Sequence, residues 1–402
     1  MRRNGPARPR RHATHAPDGA AAPGATIVAA GLICADLFPR FLSTRPAAVA
    51  DLLVPGKLIQ TEALTLATGG SVANTGIALH KLGYPALLMG TVGTDFLSAA
   101  LREKLEASGA EILLREDPRG STSYTIILDV PGQDRIFLHH TGSNDRFTAA
   151  DLDYARLKSA AHFHFGYLPL MKRMYSRGGK EAVEMFRRVK EIGLTTSLDM
   201  TPPDPHSPAG RIDWPALLRR LLPLVDLFPP SVEELLFCLD RKRFEELRDR
   251  GADIVATLHW REIHALAEQV LKLGATFCAV KCGDRGLYFL SRAKPAPGFG
   301  LPRYPVHPTW FGRKIWSRPY DVPDFVSATG AGDCTIAALV GGLTTGQELG
   351  RTLDLAAAAG ALCCTEPSAT GAIRPLADLA KWKARLAKKV LAFQTKTPFD
   401  VL

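Results

Sequence analysis

The sequence lacks any run of roughly 18 uninterrupted apolar residues, the length that a membrane-spanning helix requires. It also lacks the C-x-x-C spacing of zinc and redox sites, and its seven cysteines, an odd number, are scattered along the 402 residues. The sequence also lacks a repeat with a period of roughly 20–50 residues, which argues against a solenoid or a propeller. These absences favour a globular protein of a reducing cytoplasm, without a membrane partner, a disulfide framework or a zinc site.

Apolar residues make up 46% of the chain and charged residues 22%, which is typical of a globular enzyme. The formal net charge is +10. Residues 1–25 contain five arginines and one aspartate among many alanines and prolines, a composition that cannot bury a core. We expect a disordered basic tail over 1–25. Such a tail can bind nucleic acid, but a solvated extension is the favoured interpretation, so no nucleic-acid partner is expected.

From about residue 160 onwards, predicted strands and helices alternate, as they do in a parallel sheet covered by helices on both faces. Before that, residues 25–33 and 86–92 are predicted strands, and residues 71–82 and 95–105 are predicted helices. Ligands of such folds bind at the carboxyl ends of the strands. Asp36, Asp199, Ser231 and Gly283 all follow predicted strands.

Residues 121–140 read as a β-hairpin whose turn is the Pro-Gly-containing stretch 131–134. A hairpin so early in an alternating chain predicts a small separate sheet, formed by about residues 36–68 and 120–145. Two segments look inserted, a charged one at about 240–260 and one rich in proline and aromatic residues at about 291–324. The second could be a surface excursion held by aromatic packing, or a wall of the ligand site.

The strongest chemical signal is the run Thr329-Gly330-Ala331-Gly332-Asp333, which precedes an apolar helix. Small residues at a helix start let backbone N–H groups approach an anion, and the helix dipole adds positive charge there. An aspartate in the first turn can accept a proton from a hydroxyl beside that anion. A glycine-rich turn with an aspartate N-cap would explain the same residues. The run is neither a Walker-type loop nor a dinucleotide fingerprint.

With the residues Asp-Phe-Val-Ser-Ala before it, this run resembles the C-terminal signature of the PfkB, or ribokinase-like, carbohydrate kinases. The stretch from Gly69 to Ala78, with Asn74 at its centre, resembles their N-terminal signature. The order and spacing hold from about residue 26 to residue 390. The resemblance implies one kinase domain over about 26–395, with a doubly wound, mostly parallel sheet and a small β-sheet lid.

The resemblance also implies roles for individual residues. Asp333 would be the catalytic base. The anion hole and the ATP site would use Thr329, Gly330, Ala331, Gly332, Lys281 and Gly283. Substrate hydroxyls would be bound by Asp36, Gly70 and Asn74. Glu234 would act near Mg²⁺, although a capping box of Ser231 and Glu234 explains the same pair.

Two positions depart from the family pattern. Ser231 stands where asparagine is usual, and Ser327 stands where the family usually has an aspartate that helps to hold a monovalent cation. Losing that negative charge predicts weak dependence on K⁺. His139, His140, His162 and His164 are interpreted as structural residues, because no cysteine or carboxylate cluster accompanies them.

The expected activity is therefore ATP-dependent phosphoryl transfer to a hydroxyl of a small sugar or sugar-like substrate. The resemblance also implies a homodimer that forms through the lid. One alternative is a nucleoside kinase of the same fold. A second, of another class, is a non-catalytic protein that senses a ligand.

Overall fold

A computed structural model describes residues 26–42, 48–130, 135–302, 304–391, 393 and 398–402. The predicted tail, residues 1–25, and the predicted hairpin turn, residues 131–134, lie outside the described residues. Within the described residues, no helix is both long enough and apolar enough to cross a membrane.

The larger sheet has ten strands in the described part of the chain, in the order β14-β13-β12-β11-β10-β9-β8-β1-β4-β5. Its pairs are parallel except those that β12 forms with β11 and β13. The strands are β1 Ile27–Gly31, β4 Ala86–Val92, β5 Glu111–Glu116, β8 His162–Gly166, β9 Thr195–Leu198, β10 Leu227–Phe228, β11 Phe277–Lys281, β12 Leu287–Ser291, β13 Lys314–Ser317 and β14 Asp400–Val401.

Helices cover both faces of this sheet, because side chains of successive strand residues point to opposite faces and both sets are apolar. Val28 and Ala30 belong to one buried cluster, and Ile27 belongs to the other. The helices are α1 Val49–Leu52, α2 Gly70–Leu82, α3 Phe96–Glu106, α4 Tyr154–Leu157, α5 Lys172–Ile192, α6 Trp214–Leu221, α7 Val232–Leu239, α8 Arg241–Asp249, α9 Ile254–Thr257, α10 Trp260–Leu273, α11 Ala331–Thr344, α12 Leu349–Cys363 and α13 Leu376–Lys383. Helix α5 is interrupted by non-helical residues at 176–179.

The predicted small sheet has four strands in the described residues, in the order β3-β2-β6-β7. They are β2 Cys34–Phe38, β3 Thr65–Gly69, β6 Tyr124–Leu128 and β7 Ile136–His140. We call this sheet the lid. The lid continues directly into the main domain, since β2 follows β1 after two residues and β3 leads into α2.

The segment 291–324 has two parts with different environments. Trp310 and Trp316 are fully buried, and β13 within this segment joins the main sheet next to β12. Beyond β13 the chain reaches the surface of a cavity that is described below. The other inserted segment, 240–260, forms α8 and α9.

Candidate active site

Asp333 lies in the first turn of α11 and is only 3% exposed. Its Oδ2 accepts hydrogen bonds from Asn74 Nδ2 at 3.1 Å and from the Tyr167 hydroxyl at 2.8 Å. Its Oδ1 accepts one from Thr75 Oγ1 at 3.2 Å. The two sequence signatures thus meet at this carboxylate, although Asn74 and Asp333 are 259 positions apart.

Burial raises the pKa of Asp333 above its ordinary value, while the hydrogen bond from Tyr167 and the charge of Lys281 act in the opposite direction. A carboxylate with a raised pKa is a stronger proton acceptor once it is ionised. The site can therefore hold an ionised base that remains reactive toward a hydroxyl.

The loop before α11 turns sharply at Gly330, whose φ is +81°. A side chain there would meet the Ala369 carbonyl oxygen at 2.5 Å, so both the backbone angle and the space require glycine. The Ala331 N–H donates to the Ala328 carbonyl at 3.1 Å. Of the predicted anion-hole amides, Ala331 is thus already engaged in this structure. Gly332, within the first turn, has no partner inside the helix for its N–H.

A cavity of about 470 Å³ opens on one side of this helix start. Its walls are largely apolar and come from the end of the 291–324 segment, from the loop before α11 and from α12: Pro319, Val322, Phe325, Ala357 and Ala361. We call it the nucleotide cavity, because its volume and largely apolar walls suit a heterocyclic ring.

The end of the nucleotide cavity nearest Asp333 is polar. Lys281, Gly283 and Gly332 line it. The Lys281 ammonium lies 3.5 Å from the position that a Cβ on Gly332 would occupy, so a positive charge borders the N-terminus of α11. Positive charge and free amides at one point favour an anion such as a phosphate.

Lys281 Nζ donates to Asp199 Oδ1 at 2.8 Å, and both side chains are largely buried. Burial raises the pKa of Asp199 to about 8, although Lys281 lowers it and the negative charge of Glu234 raises it further. Burial lowers the pKa of Lys281, but Asp199 and Glu234 outweigh that effect and leave it raised. Lys281 is accordingly a cation close to three acidic side chains, Asp199, Glu234 and Asp333.

Glu234 forms the capping box that its sequence allows, because its Oε2 accepts from the Ser231 N–H at 2.6 Å and Ser231 Oγ accepts from the Glu234 N–H at 3.1 Å. In the described part of the chain, no group of three or more His, Cys, Asp and Glu side chains could enclose a metal. Mg²⁺ in nucleotide sites is held mostly by phosphates and water, with one or two carboxylates. A single carboxylate such as Glu234 fits that mode of binding, whereas the described residues do not form a metal site built of protein ligands alone.

On the other side of α2, Asp36 lies in strand β2 of the lid. Its Oδ1 accepts a hydrogen bond from Cys34 Sγ at 3.3 Å. Burial raises its pKa to about 6, and bonds from Cys34 and Thr125 limit the rise. Gly70 begins α2 with a φ of +82°, and a Cβ there would lie 2.5 Å from the Leu32 carbonyl oxygen. Asp36 thus lies beside Gly69, directly before the first residue of α2, Gly70. Among the described contacts, no direct bond joins Asp36 or Gly70 to Asp333.

The lid also touches the loop before α11. Arg135 at the start of β7 donates to the Thr329 hydroxyl at 2.7 Å, and its side chain is only 12% exposed. This contact spans 194 positions and connects the lid with the glycine-rich turn.

Sequence reasoning did not assign Tyr167, Arg135 or Asp199 to the site. Asp199 was noted at a strand end, and Tyr167 also follows its strand directly, so the strand-end rule could have found both. Arg135 carried no such signal, because only the pairing of the lid strands brings it to Thr329.

A largely apolar cavity, a helix start with a free amide beside Lys281, and a buried carboxylate are features expected of a phosphotransferase. The chain belongs to the pfkB family of carbohydrate kinases, whose pattern matches residues 42–375. This membership confirms the predicted family and the predicted class of enzyme, a carbohydrate kinase.

Among curated relatives, the chain is 26% identical over 311 residues to an ATP-dependent ribose-1-phosphate kinase of Halopiger xanaduensis, covering 77% of this chain and 84% of the relative. It is 23% identical over 322 residues to fructokinase-1 of Oryza sativa subsp. japonica, covering 78% and 87%.

Among solved structures, ribokinase of Arabidopsis thaliana complexed with ribose and ATP aligns with a TM-score of 0.63 at 18% identity, covering 89% of this chain and 98% of that one. Ribokinase of Giardia lamblia aligns with a TM-score of 0.65 at 16% identity, covering 90% and 99%. These likenesses confirm the ribokinase-like fold with its separate lid.

Proposed function

We propose that this enzyme transfers the γ-phosphoryl group of ATP to a hydroxyl of a small sugar, with Asp333 as the base. The observation that carries the proposal is the position of the Asp333 carboxylate. It is buried at the N-terminus of α11, between the nucleotide cavity and the start of α2, and Asn74 holds it from the substrate side.

In the proposed reaction, Asp333 takes the proton of the acceptor hydroxyl as that oxygen forms a bond to the γ-phosphorus. The bond from phosphorus to the bridging oxygen of ADP breaks, and ADP carries the electron pair away. Negative charge on the transferring group would be stabilised by the amides of Gly330 and Gly332 and by the Lys281 ammonium. Thr329 and Gly283 would contribute to the same phosphate and nucleotide side.

Mg²⁺ bound to the phosphates would neutralise part of their charge, with Glu234 reaching it through water. The chain's own cation at this point is Lys281, which Asp199 orients at 2.8 Å. We further propose that the dependence on a monovalent cation such as K⁺ is weak. Ser327 offers a hydroxyl in place of a carboxylate, and its Oγ already accepts from the Thr329 N–H at 3.1 Å.

A sugar is the proposed acceptor because Asp36 and Asn74 present a carboxylate and an amide, the groups that bind neighbouring hydroxyls most selectively. Gly70 would let the acceptor approach the backbone at the start of α2. The names of the relatives, among them a ribose-1-phosphate kinase and a fructokinase, support a sugar.

The protein is proposed to act in the cytoplasm, which is supported by its seven unpaired cysteines. It is also proposed to form a homodimer through the lid. The outer strand β7 exposes Phe137 and Leu138 by 54% and 52%, and exposed apolar side chains on a sheet edge favour association.

The test is to measure ADP formation from ATP with a panel of pentoses, hexoses, their phosphates and nucleosides, for the wild type and Asp333→Asn. We expect a sugar to be the best acceptor. We expect the variant to bind ATP normally but to turn over at least ~10²-fold more slowly, because an amide cannot take the proton. Asp378→Asn, on the exposed face of α13, is the matched control.

Near-normal turnover of Asp333→Asn would refute the assignment of the base. A clear preference for a nucleoside would replace the proposed acceptor and leave the base assignment standing.

A further inference from the structure

Tyr167 follows β8 directly and has a φ of +62°, in the left-handed region. That region is uncommon for residues other than glycine, and unfavourable for a bulky aromatic one. Non-glycine residues held in such conformations concentrate at functional sites, where surrounding structure enforces them. The conformation here has a visible result: the chain turns at the end of β8, and the phenol reaches the start of α11.

The Tyr167 hydroxyl donates to Asp333 Oδ2 at 2.8 Å, which is the shortest of the three bonds to that carboxylate. Among the described residues, Oδ2 therefore receives two donors, Tyr167 and Asn74, whereas Oδ1 receives one, Thr75 at 3.2 Å. A carboxylate oxygen that already accepts two hydrogen bonds has little remaining capacity for a third group. The oxygen with room for an incoming hydroxyl is Oδ1.

We propose that Tyr167 is a positioning residue of the catalytic base: its phenol holds Oδ2 of Asp333, fixes the plane of the carboxylate and leaves Oδ1 to receive the acceptor's proton. This inference rests on the proposed role of Asp333 as the base.

The chemistry of the phenol suits this role. Burial and the nearby negative charge of Asp333 raise the pKa of Tyr167 well above its ordinary value, so its proton stays in place throughout the working range of pH. A permanently protonated donor favours the ionised form of Asp333 and lowers the pKa of that carboxyl. Tyr167 would thus keep the base ionised despite its burial.

The experiment compares the pH profile of kcat/KM for ATP, at saturating acceptor, for the wild type and Tyr167→Phe, which keeps the ring and loses only the hydroxyl. Removing a donor to the carboxylate raises the pKa of Asp333. The acidic limb of the profile should therefore move to higher pH by about 1 unit. We expect kcat to fall roughly tenfold, because the base is less well oriented, while the KM for ATP changes little.

Tyr175→Phe is the matched control. Tyr175 in α5 is also buried, but its ring packs against Trp214 in α6 and not against Asp333. If Tyr167→Phe does not fold, Tyr167→Asn replaces it, because asparagine adopts left-handed backbone more readily. The same shift of the acidic limb is expected.

An unchanged acidic limb in a folded Tyr167 variant would overturn the inference. The assignment of the base has a separate readout: if Asp333→Asn is inactive while the Tyr167→Phe profile is unchanged, only the role of Tyr167 fails. If Asp333→Asn is active, the proposed function itself fails.

Discussion

Ionisation of Asp36 is less favourable than ionisation of a carboxyl group at the surface. Asp36 is partly buried beside Gly69, and burial raises its pKa to about 6. Near neutral pH it is ionised and can accept hydrogen bonds from sugar hydroxyls; in acid it becomes partly a donor and binds them less well. Its protonation should therefore affect acceptor binding before it affects the nucleotide side.

The prediction is that the KM for the acceptor rises several-fold as the pH falls below about 6, while the KM for ATP stays nearly constant. Initial rates with either substrate varied across pH would measure both constants. Asp36→Asn should show a high acceptor KM at every pH. An acceptor KM of the wild type that stays flat across this range would contradict the role of Asp36.

The same raised pKa has a consequence for folding. The folded state holds the Asp36 proton more tightly than the unfolded chain does, so its contribution to stability is fully present in acid, below the ordinary pKa. That contribution is lost as the pH rises through about 6. Asp36→Asn should therefore resist urea better than the wild type near pH 8 and no better in acid.

At the residue scale, the sequence indicates which side chains could belong to the site but not the distances between them. Asn74 and Asp333 could be assigned because each lies in a recognisable run of small residues. Their 3.1 Å bond could not be read from the sequence, because it depends on how α2 and α11 pack. Tyr167 has no motif of its own, and its role follows only from a left-handed backbone that composition does not reveal.

The lid is the element that joins the two halves of the site. Its strand β2 carries Asp36, and the start of its strand β7 carries Arg135, which bonds to Thr329 beside the anion-binding turn. A charged donor on this partly buried hydroxyl orients the loop and holds the lid close to it.

We expect Arg135→Ala to lower kcat by roughly tenfold, because a hydrogen bond from a charged group contributes about 1.5–3 kcal/mol. Steady-state kinetics with saturating ATP and acceptor would measure this loss. Arg119→Ala provides the matched control, since Arg119 is 80% exposed on the loop that leads into the lid. Equal kcat values for the two variants would show that the contact does not serve catalysis.

At the element scale, the spacing of apolar residues was sufficient to predict the bounds of a helix or strand where the segment is buried on both faces or amphipathic. Residues 86–92, 232–239 and 349–363 have the bounds that the pattern indicates. Strand β5 was not predicted, because its exposed Glu111, Arg115 and Glu116 hide its apolar centre. Strand β13 was not predicted either, since proline and aromatic residues around it suggested an insertion without regular structure.

For the whole molecule, β-α alternation was enough to predict a parallel sheet covered by helices on both faces, and the early hairpin was enough to predict a small separate sheet. The doubly wound arrangement followed from the family resemblance. Residues 291–324 had two interpretations, an excursion held by aromatic packing and a wall of the ligand site, and each describes part of that segment. Its tryptophans pack in the core, as aromatic pinning requires, and its last residues form a wall of the nucleotide cavity. Sequence alone does not show where one part ends and the other begins.

The proposed homodimer gives a prediction at this scale. Size-exclusion chromatography with light scattering should report a mass twice that of one chain. Asp replacements at Phe137 and Leu138, on β7, should yield monomers because they place charge on the apolar edge. Leu301→Asp, at a site 79% exposed outside the lid, should leave the dimer intact. A monomeric wild type would refute the proposed dimer.

In the described part of the chain, the edge strand next to β13 in the main sheet is β14, Asp400–Val401. β14 pairs in parallel with β13, and Leu402 exchanges backbone hydrogen bonds with Trp316 and Arg318 at 3.0 Å. An uncovered edge strand offers free amides and carbonyls to any other extended chain. Because β14 has only two residues, it offers few such groups, and a very short edge strand is one way in which natural sheets limit unwanted pairing.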